Sequence, residues 1–138
     1  MSGLPFLDAN VFVRHIAGDG GSHAPRATAY LARVEEGQAV ASTLETVVFE
    51  AVFTLQTFYR MPREAIHEAL VPLMRMAGLR VPHRRAIIET FDLFLEHRRL
   101  SFADCFHAVM ARQMNASEFV SFDQDFDCLP WINRTEPT

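Results

Sequence analysis

Leu4-Pro5-Phe6-Leu7-Asp8 is a short apolar run that ends directly in an acid. A short apolar run without helical periodicity is typical of a buried strand. The same arrangement returns late in the chain, as Phe119-Val120-Ser121-Phe122-Asp123. Ligands of parallel α/β sheets bind beyond the carboxyl ends of the strands, so Asp8 and Asp123 could converge at one edge of such a sheet.

The segments between these two runs alternate between extended and helical patterns. Segment 43–59 has the clearest helical pattern, with apolar residues along one face, and Gly37 and Gly78 are placed to end helices. The alternation predicts one α/β domain over residues 1–138, a three-layer α/β/α fold with a central parallel sheet of four or five strands. Helices are predicted over 11–16, 24–36, 43–59, 63–76, 84–97 and 101–115, and further strands over 39–41, 79–81 and 131–132.

The composition is that of an ordinary globular chain of 138 residues, and its hydrophobic fraction of 49% is enough for one packed core. No apolar run reaches the roughly 18 residues that a membrane span needs. Residues 1–6 lack the basic and apolar segments of a secretory signal. Cys105 and Cys128 show no paired spacing, so neither a disulfide framework nor a zinc site is predicted. We therefore expect a cytoplasmic protein with no membrane association.

The net charge and the absence of lysine both bear on which functions are possible. The formal net charge is −4, whereas proteins that bind RNA through its backbone are usually basic. A cluster of acids in an active site would account for part of this negative charge, and a bound metal ion would cancel some of it locally. All 13 basic residues other than histidine are arginines. The absence of lysine argues against phosphotransfer and dehalogenase-like enzymes that combine a nucleophilic aspartate such as Asp8 with a lysine.

Asp104 and Glu50 complete a set of four acids with Asp8 and Asp123. Asp104 stands in Ser101-Phe102-Ala103-Asp104, which resembles a capping box at the start of a helix. Glu50 lies in the middle of a helix, offset from its apolar face. Acids that approach one another repel, and a divalent cation is the simplest compensation in a chain without lysine. Oxygen ligands suit Mg²⁺ or Mn²⁺, which activate water and stabilise charge on a phosphodiester.

Each of these acids, taken alone, also has an ordinary structural interpretation, as a helix cap, a capping-box acid, a solvated helix residue or a turn residue. The functional interpretation therefore depends on the four acids as a set. Glu45 is a second candidate on the helix that carries Glu50. It is rotated by about 140° from Glu50, so the two cannot share a face.

Four stretches of the chain resemble the motifs of PIN domains. Asp8-Ala9-Asn10 after a strand resembles the opening motif, and Glu50-Ala51-Val52-Phe53-Thr54-Leu55 resembles the second, an acid five residues before a leucine. Ser101-Phe102-Ala103-Asp104-Cys105-Phe106-His107-Ala108 resembles the third, an acid that opens a late helix. Val120-Ser121-Phe122-Asp123-Gln124-Asp125-Phe126 resembles the last. The length and the motif order are most similar to the VapC-type toxins of bacterial and archaeal toxin–antitoxin pairs.

This resemblance implies a sheet with strand order 3-2-1-4-5 and a ribonuclease that depends on Mg²⁺ or Mn²⁺. It also implies RNA as the substrate, a cognate antitoxin protein as the inhibitor, a homodimer, and contact with DNA only through the antitoxin. Asn10 and Ser121 would be supporting polar groups that orient acids or waters. Carried over by position, the acids around the metal would be Asp8, Glu50, Asp104 and Asp123.

Three alternatives stay open at the level of sequence. Asp125 lies close to Asp123 and could be the fourth acid in its place. Phe49, Phe53 and Phe58 leave the central helix apolar on more than one side, which fits either full burial or a dimer or antitoxin surface. The alternative function is a non-catalytic PIN-like module that binds RNA or a partner protein. The presence of all four acids argues against such a module, because clustered carboxylates repel phosphate.

Overall fold

The computed structural model describes residues 3–138. The chain divides into two compact units, Met1–Arg84 and Arg85–Thr138. Among the described residues, no helix is both long and apolar enough to cross a membrane. The elements of the first unit are α1 (Ala9–Ala17), α2 (His23–Glu35), β1 (Ala41–Ser42), α3 (Glu45–Thr57), α4 (Arg63–Met74) and β2 (Leu79–Arg80). Those of the second are α5 (Arg84–Glu96, beginning at the boundary), α6 (Phe102–Gln113), β3 (Phe119–Val120), a 3₁₀ turn (Gln124–Cys128) and β4 (Arg134–Thr135).

Three extended segments of the first unit lie side by side and run parallel. Phe6 forms a parallel bridge with Ser42, and β1 pairs with β2 so that Ala41 lies opposite Leu79. The Leu7 amide donates a hydrogen bond of 2.8 Å to the Ser42 carbonyl. β1 therefore lies between the segment that carries Phe6 and β2.

The second unit contains one parallel strand pair, β3 with β4. The prediction of an edge strand at 131–132 is wrong, because Trp131 uses its side chain to pack against α6. Its indole N–H donates to the Ala108 carbonyl at 3.1 Å, and the Arg112 guanidinium lies 4.2 Å from the ring centroid. Strand pairing begins only after this anchor, at Arg134.

The expected sheet of four or five strands is not what the described residues show. Within residues 3–138, the strands form two-residue parallel pairs and one bridge. Pro5 has no amide hydrogen to donate and Pro82 follows β2 closely, which limits both strands. The observed pairs nevertheless join strands that are neighbours in the order 3-2-1-4-5. The parallel pairs and the helices between them confirm the α/β class.

Two glycines predicted to end helices behave differently. Gly37 follows α2 with a left-handed φ of 78°, and its amide donates to the Val34 carbonyl at 3.1 Å, so it ends the helix as predicted. Gly78 does not cap α4, whose C-cap is Arg75 in a right-handed conformation. A Cβ atom at Gly78 would lie 2.2 Å from the carbonyl oxygen of Ala39. Glycine is required there because two backbone segments approach closely.

The helices of the first unit pack through apolar faces. α1 packs against α2 and α3, and α3 packs against α4. Phe12, Leu55 and Leu70 of these helices are fully buried. Phe53 and Phe58 of α3 are instead 67% and 74% exposed, which rules out full burial for these two aromatic residues.

An aromatic cluster lies in the core of the second unit. The ring centroids of Phe91 and Phe94 lie 4.6 Å and 5.5 Å from that of Phe102. Phe102 is the first residue of α6, so the cluster fixes the start of this helix beside α5. The predicted capping box is confirmed at the same point, between Ser101 and Asp104.

Candidate active site

Asp8 lies where the first extended segment ends and α1 begins. Its backbone is extended, with φ −89° and ψ 161°, as expected of an N-cap residue. The carboxylate makes no capping hydrogen bond and is exposed to solvent. Asn10 follows within the first turn of α1 and is also exposed. The cap therefore leaves both oxygens of Asp8 available to a ligand.

Glu50 projects from the exposed side of α3, the helix that packs against α1. Glu45, the competing acid on this helix, has a different environment. Its Oε1 lies 2.7 Å from Nδ1 of His83, and its side chain is only 20% exposed. Glu45 is thus held by a histidine, while Glu50 offers its carboxylate to solvent.

In the first turn of α6, Asp104 forms the capping box with Ser101 through both its side chain and its amide. Its Oδ2 accepts a hydrogen bond of 3.3 Å from the Ser101 amide, and its own amide donates to Ser101 Oγ at 3.1 Å. The side chain is half-buried. One oxygen is used by the capping box, which leaves Oδ1 for another ligand.

Asp123 follows β3 and starts the 3₁₀ turn. Its amide donates to Ser121 Oγ at 3.0 Å, and its Oδ1 accepts from the Asp125 amide at 2.9 Å. The Ser121 hydroxyl therefore fixes the backbone at Asp123. Asp125 has a cationic neighbour, since its Oδ1 lies 3.9 Å from the Arg99 guanidinium.

The donor chemistry of these residues fits a hard divalent cation. All four acids supply carboxylate oxygens, and Asp8 and Glu50 use neither oxygen in a helix cap. Asp8 and Glu50 belong to the first unit, and Asp104 and Asp123 to the second. Over residues 3–138, no group of three or more histidine, cysteine or acidic side chains is close enough to hold a metal ion.

The order of these acids along the chain is the order found in one family of domains. The sequence profile of the PIN domain matches residues 6–131, a range that includes all four acids and most of each compact unit. The chain belongs to the PIN-domain family. The match confirms the family inferred from the four motifs.

One curated relative of this PIN chain is a VapC ribonuclease of Aquifex aeolicus (strain VF5). The two are 32% identical over 82 residues, which make up 59% of this chain and 60% of the relative. The PIN chain thus spans about 60% of the length of the curated relative that it matches. No solved structure gives a significant match.

A hydrogen-bonded network that sequence analysis missed joins Asp19 of the PIN chain to Arg14 and Tyr59. Asp19 accepts hydrogen bonds from the Tyr59 hydroxyl at 2.7 Å and from the Arg14 guanidinium at 3.1 Å. The bond from Tyr59, followed by the interactions with Arg14, lowers the pKa of Asp19, and the same bond raises the pKa of Tyr59. Tyr59 lies 40 residues after Asp19, so no local pattern could have indicated its contact with Asp19.

Sequence analysis also missed the basic side of α2 in the PIN chain. A cavity of about 780 Å³ in the first unit is lined by this helix, by α1 and by Phe6. The signal was present in the spacing of His23, Arg26, Tyr30 and Arg33, which recur on one helical face. The predicted helix over 24–36 gave Arg26, Tyr30 and Arg33 no role and began one residue after His23.

Proposed function

We propose that this PIN chain is a metal-dependent ribonuclease that acts as the toxin of a toxin–antitoxin pair. It hydrolyses RNA phosphodiester bonds with Mg²⁺ or Mn²⁺ held by Asp8, Glu50, Asp104 and Asp123. The observation that carries this proposal is the PIN-domain match over residues 6–131, a range that contains all four acids. The similarity to a protein named VapC ribonuclease supports both RNA as the substrate and the toxin role.

The environment of each acid supports its assignment as a metal ligand. Asp8 and Glu50 are exposed, and neither uses a carboxylate oxygen in a helix cap. Asp104 uses Oδ2 in its capping box, so its Oδ1 can bind a metal ion. The bound metal ion would activate a water and stabilise negative charge on the phosphodiester. Asn10, two residues after Asp8, would orient a water or the acid itself through its amide.

For the fourth ligand, we propose Asp123 rather than Asp125. Asp123 has Oδ2 available, and Ser121 holds its backbone. Asp125 is 3.9 Å from Arg99, and this cation would compete with a metal for its carboxylate. Asp125 is then a supporting residue, whose amide orients the Asp123 carboxylate.

The proposed assembly follows from the toxin role. A cognate antitoxin would inhibit the enzyme in the cytoplasm and would supply any contact with DNA. Phe53 and Phe58 place two exposed aromatic side chains on α3, and an apolar surface of this kind supports a homodimer. The proposed strand order of the complete sheet is 3-2-1-4-5, consistent with the pairs seen in each unit.

The experiment is cleavage of total RNA by the purified, partner-free protein with Mg²⁺, with Mn²⁺ and with EDTA. Glu50→Gln is the test variant, and Glu68→Gln is its matched control, since both are exposed glutamates on helices of the first unit. We expect metal-dependent cleavage that Glu50→Gln abolishes and Glu68→Gln retains. Cleavage that persists in EDTA, or that Glu50→Gln leaves unchanged, would contradict the proposal.

The second candidate function is a non-catalytic PIN-like module that binds RNA or a partner protein. The basic and aromatic lining of the cavity in the first unit, which includes Arg26, Tyr30 and Arg33, is the observation that favours it. It predicts RNA binding without cleavage in either metal and unchanged binding after Glu50→Gln. The cleavage experiment therefore separates the two functions.

A further inference from the structure

The cavity between α1 and α2 has a one-sided charge. Its volume is about 780 Å³, in the range of pockets that bind small ligands or single nucleotides. Four of its lining residues are basic or can become so, and none of the described lining residues is acidic. The cationic lining residues are Arg14, His23, Arg26 and Arg33. This local basic surface contrasts with the net charge of −4 for the whole chain.

The arginines of this cavity differ in how far they are already paired. The Arg14 guanidinium is 3.1 Å from a carboxylate oxygen of Asp19, which neutralises part of its charge. Arg26 and Arg33 are exposed, and no carboxylate among the described residues forms an ion pair with either. These two arginines are therefore the cations that a bound anion would meet.

Aromatic side chains lie beside these cations. The Arg33 guanidinium lies 5.4 Å from the ring centroid of Tyr30, and Tyr30 lines the same cavity. Phe6 lines it too and is 57% exposed, although it belongs to a strand. Proteins that bind single-stranded nucleic acid combine such a basic groove with aromatic rings on which bases stack.

We propose that this cavity binds a single-stranded segment of the RNA, with Arg26 and Arg33 on its phosphates and Tyr30 against a base. This inference rests on the proposed function, because RNA is the substrate of the proposed ribonuclease. Asn10 lines the cavity and lies two residues after Asp8 in the chain. RNA bound here would have part of its backbone charge neutralised by the two arginines, which explains how an acidic chain could bind a polyanionic substrate.

A peptide with acidic side chains is the competing occupant, since it would also match the arginines. The aromatic rings of Tyr30 and Phe6 favour RNA, because bases can stack on such rings while carboxylates cannot. The two occupants differ in salt dependence, since each phosphate contact releases condensed counterions from the nucleic acid.

The test measures binding of a fluorescein-labelled oligouridine of about 12 nucleotides by fluorescence anisotropy. EDTA is present so that metal-dependent cleavage cannot occur, and the monovalent salt concentration is varied. The test variant is Arg26→Gln/Arg33→Gln. The matched control is Arg60→Gln/Arg75→Gln, which also removes two exposed arginines of the first unit but none from the cavity. Thermal unfolding checks that both double variants fold.

We expect the test variant to weaken binding about 10-fold, and the slope of log K against log salt to fall by about 1.4, for two lost contacts to a single strand. The control should keep the wild-type affinity and slope. Equal affinity and slope in the test variant and the wild type would overturn the inference and would leave the cavity to a protein ligand. Wild-type protein that never cleaves RNA, but binds it through Arg26 and Arg33, would instead overturn only the proposed function.

Discussion

Gly78→Ala tests the close approach of backbone segments that builds the strand pairs of the first unit. The added Cβ would lie 2.2 Å from the Ala39 carbonyl oxygen and 2.6 Å from that of Val34. These atoms belong to the backbone, so the segments must separate by about 1 Å to reach ordinary contact. That movement also stretches two hydrogen bonds of 2.9 Å, from the Gly78 amide to Val34 and from the Ala41 amide to Gly78.

The expected cost of Gly78→Ala follows from these contacts. Overpacking costs about 1–3 kcal/mol, and the two weakened hydrogen bonds add about 1 kcal/mol each. Alanine also lowers the conformational entropy of the unfolded chain, which offsets at most about 1 kcal/mol of this destabilisation. We therefore expect a loss of about 3 kcal/mol in the free energy of unfolding, or about 10 °C in Tm for a chain of this size.

Urea and thermal unfolding followed by circular dichroism would measure this loss. Gly3→Ala is the control, since nothing lies within 4 Å of its Cβ position. It should change the free energy of unfolding by less than about 0.5 kcal/mol. A Gly78→Ala protein as stable as the control would refute the close approach and the strand pairing inferred from it.

Three further predictions concern single side chains. Tyr59→Phe should raise the pKa of Asp19, seen by NMR titration, because the Tyr59 hydroxyl is the largest cause of its lowering. Because the pKa of Asp19 is lowered in the folded state, the ionised carboxylate stabilises the fold above the unfolded-state pKa. This stabilisation is lost as the pH falls through the folded-state pKa. Tyr59→Phe should therefore make the free energy of unfolding less dependent on pH in the acid range. Asp104→Ala should cost about 1 kcal/mol in urea unfolding by breaking the capping box with Ser101, and an unchanged midpoint would contradict that role. Phe53→Ser should change the free energy of unfolding by less than about 0.5 kcal/mol but lower the fraction of the proposed homodimer in analytical ultracentrifugation. An unchanged distribution of species would argue against α3 as the surface of that homodimer.

Much of the fold could be predicted because local signals agree with it. The apolar spacing of 43–59 predicted α3, and Gly37 ended α2 as expected. The failures have a common physical origin in long-range contacts. Gly78 has the composition of a cap, but its role depends on Ala39 and Val34, which no local pattern brings beside it. Trp131 has strand propensity, yet its packing against α6 displaces the strand to Arg134.

For the candidate site, the sequence predicted the family and one local contact. Motif order was enough to identify the PIN family, and the capping box at Asp104 followed from Ser101. The environment of the competing Glu45, which His83 holds, became visible only in the structure. That contact joins residues from separate elements, and neither carries a sequence signature for the other.

Binding of Mn²⁺ to the wild type and to single variants tests the central claim, that four acids form one metal site. Electron paramagnetic resonance of free Mn²⁺ gives the affinity without any substrate. The account predicts that Asp8→Asn, Glu50→Gln, Asp104→Asn and Asp123→Asn each weaken Mn²⁺ binding, while Glu45→Gln, whose carboxylate is held by His83, does not. Wild-type affinity in any of the first four variants would remove that acid from the site. Wild-type affinity in all four would contradict the account.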